Sequence, residues 1–144
     1  MIGNSAMPRF ALAALLLLPV SAMALPPGLA VDELVSTTTT VTGEPITLPE
    51  HPQLKVSKYT IAPGAKLPVH KHPAQRYAYI LSGEIDVTFP DADKHFHSKP
   101  GDFIVEGMDQ WHYGINKGKA PVVLLVIDQM PEAAKTNTVL KDAQ

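Results

Sequence analysis

His70 and His72 are separated by a single residue, and their type and spacing are the first features of this sequence that point to chemistry. Alternate side chains of a β-strand share a face, so on a strand both imidazoles project to one side and can chelate one ion. His112 arrives from a later hairpin as a third candidate. Neutral imidazole is the commonest biological metal ligand, and three of them leave coordination positions open for water or substrate. The cofactor this points to is one divalent transition ion: iron, manganese, nickel, copper or zinc.

Other chemistries fall away. With no cysteine among 144 residues there are no disulfides, zinc-thiolate sites or thiol nucleophiles. There is no G-x-S-x-G elbow and no G-K-[ST] phosphate loop, and the glycines are spaced as β-turns. His95 and His97 also share a strand face, but they follow Asp91, Asp93 and Lys94 and read as an exposed hairpin. His51, between Glu50 and Pro52, reads as a loop residue.

The elements that must hold the three histidines are strands. Fourteen prolines and nine glycines favour short strands and tight turns over long helices. Ile85, Val87 and Phe89 alternate with Asp86 and Thr88, the period-two pattern of a strand with one wet face. Val122 to Ile127 is a continuous apolar run suited to a strand buried on both faces. The expected class is all-β, a sandwich or barrel. Ahead of it, Arg9 precedes the apolar run Phe10–Leu18, and Ala22-Met23-Ala24 offers the small-x-small triplet of an export signal. The expected organisation is a signal peptide over 1–24, an extended arm over 25–45, a barrel over 46–130 and a tail over 131–144. Losing Arg9 with the leader takes the net charge from −2 to −3, which leaves no basic patch for nucleic acid and no membrane attachment after cleavage.

Taken together, the glycines and histidines resemble the cupin superfamily. Its first motif, G-x5-H-x-H-x3,4-E-x6-G, meets Gly64, His70, His72 and Gly83, with Arg76 where the glutamate is expected. The second, G-x5-P-x-G-x2-H-x3-N, meets Gly101, His112 and Asn116, with Gly107 in place of proline and Asp109 in place of glycine. The resemblance covers about residues 46 to 128. It implies a single double-stranded β-helix (cupin, or jelly-roll) barrel, usually dimeric, with a metal held by His70, His72 and His112.

The acidic ligand of the family has no match. Arg76 cannot bind a cation, because a guanidinium has no lone pair to give. Either it points inward and anchors a substrate carboxylate, or it pairs with Glu84 or another acid. Gln75 is an alternative neutral oxygen donor if the strand bulges. Asp109 is either an outer partner that orients an imidazole or a solvated turn residue.

The function expected on this basis is an exported, periplasmic or secreted, metal-dependent enzyme of dioxygenase type acting on a small molecule. The alternatives are a non-catalytic cupin that binds a small ligand or metal, and a metal-free isomerase or lyase. A homodimer is expected, because a mature chain of about 120 residues gains from burying an outer sheet against a twin.

Overall fold

Alternation of apolar and polar residues produces pleated strands, and the computed structural model, which describes residues 26–141, contains nine of them. In chain order they are β1 (Pro52–Ile61), β2 (His70–Lys71), β3 (Gln75–Ser82), β4 (Ile85–Phe89), β5 (Lys94–Ser98), β6 (Phe103–Val105), β7 (Tyr113–Ile115), β8 (Val122–Pro131) and β9 (Val139–Leu140). The only helical element among the described residues is a 3-10 turn at Pro90–Ala92. The expected signal segment, 1–24, lies outside the described residues. No helix among them is long and apolar enough to cross a membrane.

All strand pairs are antiparallel. One sheet has the order β1-β8-β3-β6 and a second the order β5-β4-β7, while β2 and β9 form a short ribbon. Side chains of both larger sheets line one shared cavity, which makes the protein an all-β barrel. Ile61, Ile80, Ile85, Val122, Leu124 and Val126 form the buried core, with Leu67, Val87 and Ile104 packed against it. Each fully buried side chain of this size contributes about 1.5–3 kcal/mol.

Strand β8 departs from expectation. Val122, Leu124, Val126, Asp128 and Met130 are buried, but the residues between them are only half-buried. The apolar run therefore alternates, because the four-stranded sheet is covered on its inner face alone.

Turn chemistry fixes the register of these strands. Gly83 has φ 73°, and a Cβ there would stand 2.6 Å from the Pro121 carbonyl oxygen, so only glycine closes β3 onto β4. Asn116 is fully buried: its Nδ2 donates to the carbonyls of Ile61, Ala62 and Ala120, and its Oδ1 accepts from Gly118 N–H. That clamp ties the loop after His112 to the end of β1.

Two segments expected to be peripheral pack closely. From Thr38 to Ile46 the chain folds back on itself, with Ile46 N–H donating to Thr38 O, and Val41 N–H donates to Val105 O at 2.9 Å on β6. The tail returns to pair β9 with β2, placing Leu140 opposite His70.

Candidate metal centre

The histidines are locked first through their backbones. His70 N–H donates to His112 O at 2.9 Å and His112 N–H to His70 O at 2.8 Å, a reciprocal antiparallel pair that sets the two residues side by side. His72 lies two residues along on the same face, and its carbonyl accepts from Asp109 N–H at 2.8 Å. The ring centroids are 4.4 to 4.9 Å apart, all three residues are buried, and Phe89 stacks on His112 at 4.8 Å.

Their rings are then oriented through Nδ1. His70 Nδ1–H donates to Pro68 O at 2.8 Å, His72 Nδ1–H to Asn137 O at 2.7 Å and His112 Nδ1–H to Gln110 O at 2.9 Å. A carbonyl oxygen only accepts, so each Nδ1 carries the hydrogen and each neutral ring keeps its lone pair on Nε2. One ligand atom from each ring lies within 4.8 Å of the other two. Such backbone partners fix both tautomer and ring direction. Burial pushes the His70 imidazole down to about 4, against the support of its Pro68 hydrogen bond, so it is neutral at pH 7.

A carboxylate faces this cluster, and it comes from a variable position of the second motif, just before Gly107. Glu106 Oε2 is 3.1 Å from His72 Nε2 and 3.6 Å from His112 Nε2. Burial alone would raise the Glu106 carboxyl. Hydrogen bonds with His112 and His72, together with the nearby Arg76 charge, outweigh that and hold it well below the usual carboxylate range.

Arg76 points into the barrel, where Nε donates to Asp128 Oδ1 at 2.7 Å and Nη2 to Asp128 Oδ2 at 3.0 Å. Its Nη1 lies 3.3 Å from His72 Nε2. The partner acid is Asp128, while Glu84 reaches His97 on the exposed β4–β5 hairpin. Asn137 joins these groups: its Nδ2 donates to Asp128 Oδ1 and Ala74 O, and its Oδ1 accepts from Ala74 N–H.

Gln75 and Asp109 are not brought to the cluster. Gln75 has the opposite strand parity to Arg76, and its Nε2 donates to the carbonyls of Arg76 and Glu106. Asp109 is exposed and pairs with Lys71 Nζ at 2.6 Å, so the His112 ring takes its orientation from Gln110 O instead. His95 and His97 are exposed, as their hairpin position implies.

Beside the cluster is a cavity of about 260 Å³. Leu67, Val87, Phe89, Ile104, Leu124 and Val126 give it apolar walls, and His70, Arg76, Glu106 and His112 stand at its polar end. Three converging imidazole nitrogens with a carboxylate beside them fit a divalent ion of borderline softness. Beyond the three histidines and Arg76, the polar groups here were not foreseen. Glu106 and Asp128 each carried a sequence signal: both are acids at the inward parity of an apolar strand, Glu106 two residues after Ile104 and Asp128 two after Val126.

The cupin domain family matches residues 57–128, which span both histidine motifs and the strands that carry them. The chain belongs to the cupin family. No curated protein matches it. Among solved structures it is similar to a conserved protein with a double-stranded β-helix domain from Klebsiella pneumoniae. That pair shares 21% identity with a TM-score of 0.52 over 65% of this chain and 87% of that one. It is similar to the DMSP lyase DddQ from Ruegeria pomeroyi at 24% identity and TM-score 0.52, over 60% of this chain and 42% of that one. It is also similar to the oxalate decarboxylase of Bacillus subtilis, a protein with Mn(II) centres, at 27% identity and TM-score 0.50, over 60% of this chain and 23% of that one. The cupin fold is thus the double-stranded β-helix, and this cupin spans less than half the length of either enzyme.

Proposed function

We propose that this cupin holds one divalent transition ion at His70, His72 and His112 and works as a dioxygenase-type oxidoreductase on a small, largely apolar molecule. The observation that carries this reading is the shared orientation of the three rings. Each Nδ1 is committed to a backbone carbonyl, so the three Nε2 atoms converge in a buried space, an arrangement suited to holding a cation. The Mn(II) centres of the Bacillus subtilis relative support a divalent ion of this kind.

The chain's own residues divide the remaining work. The apolar walls exclude water and bind by contact area, and Phe89 holds His112 in place. Asp128 neutralises Arg76 through two of its N–H groups, so the cavity favours a largely apolar substrate. A bound ion supplies Lewis-acid polarisation and, where redox-active, an electron path at its open positions.

The test is metal content per chain on untagged protein, with a His70→Ala/His112→Ala control, followed by oxygen uptake against a substrate series. Stoichiometric metal lost in the control, with one O₂ consumed per substrate and both oxygen atoms recovered in product, supports the reading. Metal and ligand binding without oxygen uptake moves it to a non-catalytic binding cupin. A protein that takes up no metal overturns it.

Export and dimerisation belong to the same proposal. The Ala22-Met23-Ala24 leader supports a periplasmic or secreted protein, checked by the mass of the protein recovered from the periplasm. Strand β1 bonds only β8, and it exposes Leu54 by 64% and Val56 by 54%, the kind of edge a second copy covers. A monomer in light scattering at micromolar concentration rejects the dimer.

A further inference from the structure

The acid missing from position 76 has a counterpart directly across the sheet. Strands β3 and β6 pair with Tyr77 opposite Val105, and the ladder continues with Glu106 N–H donating to Arg76 O at 3.0 Å. Glu106 is therefore the cross-strand neighbour of Arg76, and both side chains face the cavity. The family motif puts a carboxylate on β3, whereas this chain puts a cation there and the carboxylate one strand over.

From this juxtaposition we infer that Glu106 is the fourth protein ligand of the metal centre, a relocated acid that takes the place of the glutamate absent from position 76. The inference rests on the metal site proposed above. Three features support it, and the first is distance. Ligands bound at about 2.0–2.1 Å to one ion stand roughly 2.9 Å apart in octahedral and 3.4 Å apart in tetrahedral geometry. Glu106 Oε2 stands 3.1 and 3.6 Å from two of the three Nε2 atoms, and a shift of its side chain toward His70 completes the set, since the three histidines alone lie mutually within 4.8 Å.

Ring direction supplies the second feature. With every Nδ1 turned to a backbone carbonyl, the Nε2 edges of His72 and His112 are the ones that face Glu106. Third, the positive charge nearest the site is already neutralised. Asp128 takes the Nε–Nη2 edge of the Arg76 guanidinium with both oxygens and leaves Glu106 free to serve an ion. Gln75 secures the backbone at this point, bonding the carbonyls of both Arg76 and Glu106 from the far side of the ladder.

The experiment titrates metal-free, full-chain protein with Co(II), reading affinity and the visible absorption band of the bound ion. Wild type is compared with Glu106→Gln, Glu106→Ala and His70→Ala/His112→Ala. If Glu106 ligates, Glu106→Ala binds Co(II) at least about 100-fold more weakly, at or beyond the upper end of the 10–100-fold cost of residues that only orient a ligand. Its absorption band also changes in position and intensity, while the double histidine variant binds none. Glu106→Gln, which keeps size and loses charge, falls between them and guards against a folding artefact, with circular dichroism of each metal-free variant as the check.

Should Glu106 merely balance the Arg76 charge, both variants lower metal-free stability and leave the Co(II) spectrum as in wild type. That result overturns the inference and leaves the histidine site standing. If wild type itself takes up no Co(II), the metal reading fails and this inference fails with it.

Discussion

The Arg76 guanidinium and the Asp128 carboxylate meet as a two-point pair, 2.7 and 3.0 Å, on β3 and β8 directly opposite one another in the sheet register. Both are buried, so neither charge has water as an alternative partner. Such a pair is not a strong source of stability in itself, since desolvation offsets most of its attraction, but breaking it is costly. Asp128→Ala is expected to lose about 3–5 kcal/mol in urea unfolding, because it leaves a buried cation unpaired. Arg76→Met with Asp128→Leu is expected to lose clearly less than that single change. Equal losses would mean that the pair is solvated in solution.

The motif histidines and the strand class were legible because each rests on a short local pattern. His-x-His sets ring direction through the two-residue repeat of a strand, and Ile85–Phe89 announces its pleat by alternation. His70 and His112 are supported by carbonyls two residues away, whereas the support of His72 is non-local. The partner of His72 Nδ1 is the carbonyl of Asn137, 65 residues away in a tail without periodicity, and a backbone carbonyl has no signature in residue type. Glu106 and Asp128 were visible only as acids at inward strand positions, and which cation they would face depended on the sheet order. Gln75 faces away from the cluster, since its use as a ligand requires a bulge next to Arg76. The register shift in β3 lies between Ile80 and Ser82 instead.

Asn137 is a test of that hidden support. Its side chain joins both backbone groups of Ala74 to Asp128, and its carbonyl orients His72. Asn137→Ala removes three hydrogen bonds and unpins the tail. Metal affinity is expected to fall about 10–100-fold, the usual cost of losing an outer partner of a ligand, although Asn137 touches no ligand position itself. Calorimetric titration of the variant checks this, and an unchanged affinity would show that β9 alone keeps His72 oriented.

Metal-free protein should lose stability on acidification because His70 is buried in its neutral form. Its ring titrates near 6.5 when the chain unfolds and at about 4 when folded, so between those values the unfolded state binds the extra proton. Stability is fully present above about pH 6.5, falls as pH drops toward 4, and then levels off as far as this residue is concerned; the loss is about 3 kcal/mol. His97 works in the opposite sense: its hydrogen bond with Asp86 raises it, so its small contribution is present below the unfolded value and is lost as pH rises. Urea unfolding from neutral pH to about pH 4 in chelator separates them. His70→Gln is expected to flatten the acid limb, and a variant as acid-sensitive as wild type would assign the loss to another group.

Cavity shape and metal retention should be separable at Ala78. This residue is buried at the middle of β3, lines the cavity, and belongs neither to the histidine cluster nor to the Arg76–Asp128 pair. A larger side chain there has room to project into the cavity, so Ala78→Phe avoids much of the 1–3 kcal/mol that overpacking a filled core costs. The variant is expected to keep wild-type metal content and lose ligand-induced thermal stabilisation or turnover, since the ring occupies the volume a small molecule would fill. Loss of metal together with ligand would instead mean that the apolar walls and the histidine cluster are not independent, and that the packing of β3 against β8 sets the positions of both.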